Sequence, residues 1–199
     1  MYSILAEDKS DVACLEVLIK RLKNNDSEKI KGKGFKSCGN MLNQGKRALK
    51  AHEQLGYNKF IICYDRDKDT VQQRYQEVIS KIIKPSGIKI KKDNICILIP
   101  VEEIEAWILA DIQAVSKVFP SWKPIQNFPT PESVINPKEK LKQLSQIKKS
   151  KPLYIHDRHN QDILKHVDLK TVKDKCPSFK KLANFIEENR SNYPQNYEI

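Results

Sequence analysis

The chain has 199 residues, 39% of them hydrophobic and 31% charged. That length allows one domain, or one domain with a helical appendage, and the composition excludes a disordered low-complexity chain. Its 36 Lys and Arg against 25 Asp and Glu leave a net charge of +11, which favours a polyanion such as DNA or RNA.

In chain order, residues 2–6 read as a first strand that ends at Glu7-Asp8. A helix is expected from Asp11, with Val12, Leu15, Leu18, Ile19 and Leu22 on one face and Ser10 or Asp11 as its cap. Residues 24–34 read as polar and flexible, with weak extended structure around Phe35. A second helix is expected over about 40–55, stopped by Gly56. Residues 59–64, KFIICY, form the best strand pattern, and their unbroken apolar run suits a strand buried on both faces of a parallel sheet. A third helix over 70–84 places Val71, Tyr75, Val78, Ile79 and Ile82 inward. Another buried strand, 95–99, stops at Pro100, and a short helix over 102–110 turns Ile104, Trp107 and Ile108 inward. Beyond Asp111 four prolines punctuate a loop, Asn136-Pro137 starts a helix, and Phe179, Leu182, Ala183 and Ile186 mark a last one. The expectation is an α/β core over 1–111 with a mostly parallel sheet, and a helical C-terminal cover over 112–199 packed on it as one unit.

No signal-peptide pattern is read at the N-terminus, and the strongest apolar run, 95–101, is too short to span a bilayer. The five cysteines are odd in number and form no CxxC pair, which argues against a zinc ribbon or a disulfide framework. Free thiols in a reducing cytosol are the simplest account, so the expected location is cytoplasmic.

Three acidic groups follow three strands: Glu7, then Asp65 and Asp67, then Glu102 to Glu105. The carboxyl ends of parallel strands form the ligand-binding edge of an open α/β sheet, so these carboxylates are expected to converge. Carboxylates that share a crevice repel one another, and oxygen-only ligands favour Mg²⁺ or Mn²⁺ over zinc. Asp69, directly before the third helix, reads instead as its cap. A calcium loop starting at Asp65 fails, because Thr70 and Gln76 stand where it needs glycine and glutamate. A phosphate-binding loop over residues 39–46 fails on glycine spacing and on Arg47 in place of Ser or Thr.

Glu7-Asp8-Lys9-Ser10-Asp11 after a first strand, and Asp65-Arg66-Asp67 after an apolar strand, resemble the two motifs of Toprim domains. Residues 100–111, PVEEIEAWILAD, and Pro177-Ser178-Phe179 are similar to small bacterial Toprim-like proteins related to the overcoming-lysogenization-defect nucleases. Those proteins are often associated with ATPase partners in mobile or phage-defence loci. The resemblance implies a Toprim-like fold and a metal-dependent nuclease. It makes Glu7 a general acid/base or metal ligand, and Asp65 and Asp67 metal ligands. Glu105 becomes the third acidic site, with Glu102 one helical turn earlier on the same face. Two departures stand out: Asp8 replaces the glycine that often follows the Toprim glutamate, and no glycine follows Asp67. The alternative reading is a non-catalytic subunit that binds nucleic acid or an ATPase.

Candidate nucleic-acid contacts are Lys9 and Lys68 inside the acidic loops, Lys46 and Arg47 in a basic cluster, and Lys138 and Arg158 in the C-terminal third. Other lysine clusters lie at 29–36, 84–92 and 148–151. His156, His159 and His166 are spaced too loosely for a zinc site.

Overall fold

Four strands form one all-parallel sheet in the computed structural model, which describes residues 1–66, 69–91, 93–146 and 151–193. The strands are β1 (Tyr2–Ala6), β2 (Ile30–Gly34), β3 (Lys59–Cys63) and β4 (Ile95–Leu98), in spatial order β2-β1-β3-β4. The expected α/β class and parallel sheet hold, an arrangement consistent with a Toprim-like fold. β1 and β3 lie inside the sheet, which is why β1 is buried along its whole length and β3 reads as an apolar run.

β2 corrects the expectation of a flexible segment. IKGKG has a weak strand signature, but it pairs with β1 along its whole length, from Tyr2↔Ile30 to Ala6↔Gly34. Its glycines let it lie against helix α1 (Lys9–Lys23): a Cβ on Gly32 would stand 2.0 Å from Val12 Cγ1, and one on Gly34 would stand 2.5 Å from the Asp8 carbonyl carbon. Its lysines are those of an exposed edge strand.

The helix caps also differ from expectation. α1 is capped by Asp8, whose extended backbone brings its carboxylate to the amide of Asp11 at 2.9 Å. Helix α2 (Cys38–Gln54) is capped by Ser37. Helix α3 (Val71–Glu77) is capped by Thr70 through a reciprocal box with Gln73, while Asp69, expected there, pairs with Arg74 instead. α3 continues through a π-helical stretch, Val78–Ile83, into the single turn α4 (Lys84–Ser86). Pro85 has no N–H to donate, so the regular ladder could not have continued unchanged.

The chain reverses direction across the sheet after β2, which places α1 on one face and α2 to α4 on the other. Leu5, Phe60, Ile62, Ile95 and Ile97 pack with Met41, Leu49, Ile79 and Ile82 on the α2 side. Ile4, Ile61, Cys63, Cys96 and Leu98 pack with α1 and with the C-terminal helices on the other. Those helices are α5 (Glu105–Ala110), α6 (Val115–Val118), α7 (Pro137–Leu144), α8 (His156–Leu164), α9 (Leu169–Lys175) and α10 (Pro177–Glu188). The helical cover and the core therefore share one apolar cluster.

Two polar devices fasten the cover. Buried Glu132 accepts the amide and hydroxyl of Ser178, capping α10 from a distant loop, and Ser178 Oγ accepts Trp107 Nε1–H at 2.9 Å. At the open edge of β4, the Asn192 side chain accepts from Ile97 N at 2.8 Å and donates to Ile97 O at 2.6 Å, as a neighbouring strand would. All five cysteines are free, four of them buried and Cys38 partly exposed. Among the described residues no helix is long and apolar enough to cross a membrane.

Candidate metal and phosphate site at the switch point

In the order β2-β1-β3-β4 the connections leave β1 and β3 toward opposite faces, which opens a crevice at their carboxyl ends. Glu7 directly follows β1 and Asp65 lies two residues beyond β3. The Asp65 backbone amide donates to Glu7 Oε1 at 3.2 Å across that crevice. Register explains the meeting: Leu5 pairs with Ile62, so the two chains leave the sheet side by side.

Asp11, in the first turn of α1, joins them through its charge interaction with Glu7. Burial, followed by the charges of Asp8, Glu105 and Glu7, pushes its carboxyl up to about 8. The sequence places Asp11 as a helix cap and as the last residue of the Glu7–Asp11 motif, without a role at the site.

Glu105 opens α5 and is 4% exposed. Burial raises its carboxyl above the usual range. Asn160 Nδ2 donates to its Oε1 at 2.9 Å, and the Tyr154 hydroxyl, which donates to Asn160 Oδ1, stands 3.4 Å from the same oxygen. Tyr154 and Asn160 come from the C-terminal cover and had no legible sequence signal. Lys138, near the start of α7, bonds Glu103 Oε1 at 3.0 Å, while its backbone amide donates to Glu103 Oε2. Burial works against the Lys138 charge, but Glu105 and Glu103 outweigh it, with a further contribution from Asp65, and hold it above the ordinary lysine range.

Of the expected acidic residues, Glu7, Asp65 and Glu105 are thus brought to one region, and Asp67 lies outside the described residues. Glu102 is corrected: it precedes α5 rather than lying on its first turn, and it is paired with Arg66 at 2.6 Å. That pair borders an open cleft of about 710 Å³, lined also by Asp69, Arg74, Glu103 and Ile135.

Of the expected basic contacts, Lys138 reaches this region. Lys9 is exposed at the first position of α1, and Arg158 is exposed on α8. Lys46 and Arg47 lie on α2, and Lys68 lies outside the described residues. In the histidine patch, His159 Nδ1 accepts the Ile155 amide and its ring packs edge-on against Phe119.

Among the described residues no three His, Cys, Asp or Glu side chains form a ready metal cage. The donor chemistry nevertheless fits a hard cation. Every anionic group is a carboxylate, and burial, with the charges of Asp8, Glu105 and Glu7 added to it, leaves Asp11 hard to ionise. Mg²⁺ commonly takes only one or two protein carboxylates and fills its remaining positions with water and phosphate oxygen.

The family profile described as "Domain of unknown function (DUF4276)" matches residues 6–187. The chain belongs to this family. The match runs from the end of β1 into α10, so one family unit includes both the switch-point carboxylates and the helical cover that holds Glu105. No curated protein and no solved structure matches the chain.

Proposed function

We propose that this DUF4276 member is a metal-dependent phosphodiesterase acting on nucleic acid, with Asp65 and Asp67 as ligands of Mg²⁺ or Mn²⁺ and Glu7 as the general base. The observation that carries the reading is the 3.2 Å contact that joins Glu7 to the Asp65 loop at the switch point. A divalent cation, when bound, supplies Lewis acidity to a phosphate oxygen and makes a nearby water easier to deprotonate. The chain supplies the rest. Glu7, fixed by the Asp65 amide, orients the attacking water and takes its proton. The P–O bond then breaks, and the departing oxygen takes a proton from solvent. Lys138, kept cationic by Glu103 and Glu105, balances the negative charge that builds on the phosphoryl oxygens. Buried Glu105, whose Oε1 accepts from Asn160, adds its charge to that of Glu103 in holding Lys138 cationic.

A second reading, a non-catalytic subunit that binds nucleic acid or an ATPase, draws on the satisfaction of two of the acids. Glu102 is held by Arg66 and Glu105 by Asn160. Incubation of plasmid, single-stranded DNA and RNA with Mg²⁺ or Mn²⁺ separates the two. Cleavage abolished by EDTA, Glu7→Gln and Asp67→Asn supports the phosphodiesterase. A folded protein that binds nucleic acid but cleaves none with either metal overturns it in favour of the subunit.

A further inference from the structure

Seven of the eleven surplus positive charges fall between residues 29 and 52, a stretch with seven Lys or Arg and no Asp or Glu. The fold gathers them on one flank. Lys31 and Lys33 pair in register with Ser3 and Leu5, and neighbours in a parallel ladder point to the same side of the sheet. Leu5 packs in the α2-side core, so both lysines rise on the α2 side, beyond the edge of that helix. His52 on α2 records their presence: burial first, then Lys31 and Lys33, push its imidazole below the usual range. Lys33 and Arg47 share a recess of about 310 Å³ between β2 and α2. Arg47 also borders a second recess of about 340 Å³, with Lys46, Lys50, Pro85 and Ser86, between α2 and α4. The basic surface is therefore continuous from the sheet edge across α2.

Lys31, Lys33, Lys36, Lys46 and Arg47 pair with no carboxylate among the described residues, while lysines elsewhere, such as Lys59, Lys138 and Lys173, do. The flank also abuts the candidate site: Phe35, at the end of β2, donates its amide to the Glu7 carbonyl at 3.0 Å, and Gly34 lies against the Asp8 backbone.

From this juxtaposition we infer that the β2–α2 flank is a track for the phosphate backbone of a nucleic-acid strand whose scissile phosphate lies at Glu7. The inference rests on the phosphodiesterase reading and deepens it by naming the surface that holds the strand and by requiring a polymer. Helix α2, with 17 residues, spans ~25 Å at 1.5 Å per residue, room for several phosphates at ~3.4 Å of rise per nucleotide on one strand. The substrate is a polymer rather than a mononucleotide. Recognition is by charge, without base reading.

The test is fluorescence anisotropy with labelled 20-nucleotide single strands and duplexes of DNA and RNA, in EDTA so that nothing is cleaved. The binding constant is followed against salt concentration. Wild type should bind with a steep negative salt dependence. The double variant Lys33→Glu with Arg47→Glu should bind about 10-fold or more weakly, with a salt slope shallower by about 1–2. A control reversal on the opposite face, Lys170→Glu with Lys180→Glu, should bind as wild type does, and both variants should melt at the wild-type temperature. Equal weakening in the control, unchanged binding by the flank variant, no polymer binding, or displacement by an equal concentration of mononucleotide would each overturn the track. The two readings fail separately. Flank-dependent binding with no cleavage under any metal removes the phosphodiesterase and leaves the track, whereas cleavage indifferent to the flank variant does the reverse.

Discussion

The backbone amide of Asp65 and the carboxylate of Glu7, 58 residues apart in the chain, meet at 3.2 Å. The contact fixes one carboxylate by the backbone of the other's loop, so substitution at either should be felt at both. Glu7→Gln keeps an oxygen to accept the Asp65 amide and should fold normally. It should lose metal-dependent cleavage by ~10²–10⁴-fold, the usual contribution of a positioned general base. A loss below tenfold, measured by single-turnover cleavage, would remove Glu7 from that role.

Asp11 predicts how stability depends on pH. Its carboxyl stands at about 8 in the folded protein against a reference value of 3.8. Between those values the folded state retains a proton that the unfolded chain has released, so the Asp11 contribution to stability falls as pH rises from about 4 to about 8 and then levels off. Melting temperatures from pH 5 to 9 should show this decline, and Asp11→Asn should flatten it. Mn²⁺ should raise the melting temperature more at pH 8 than at pH 6, because a cation offsets both the burial cost and the neighbouring negative charges that keep the group protonated. A slope identical in wild type and Asp11→Asn would contradict the assignment.

Glu132 caps α10 through the Ser178 amide and hydroxyl inside the protein. Glu132→Ala leaves two buried donors without an acceptor at a helix start. The expected cost is ~2–4 kcal/mol from the lost cap and the unmet groups together. Urea denaturation should report it as a lower midpoint with an unchanged slope; a change under ~0.5 kcal/mol would mean that water replaces the carboxylate.

Gly32 and Gly34 make a paired prediction. A methyl on Gly32 meets the Val12 side chain, so Gly32→Ala should destabilise by ~1–3 kcal/mol and be partly rescued by Val12→Ala. A methyl on Gly34 meets the Asp8 carbonyl and the Lys9 amide nitrogen. Those atoms are backbone, so Gly34→Ala should have no such rescue and should also disturb the Glu7 loop. Equal recovery of both by Val12→Ala would show that the strand and helix separate as rigid bodies.

Local pattern was enough wherever one segment's own burial decided the outcome. KFIICY reads as a central strand because β3 is apolar on both faces, and the run 2–6 ending at Glu7 reads as a strand for the same reason. The placement of Glu7 and Asp65 followed, since parallel strands present their carboxyl ends together. β2 was not legible: IKGKG becomes a strand only through pairing with β1 and close approach to α1, and neither is a property of five residues alone. The same holds for Asp11, whose unusual carboxyl comes from its burial beside Glu105, a residue 94 positions away in the chain. Likewise Tyr154 and Asn160 gain their place at the site only when α8 packs beside α1 and α5. Sequence periodicity carries hydrophobic burial, which is summed along one element. Tertiary packing decides which charges share a low-dielectric space, because that depends on distances between elements that no single segment encodes.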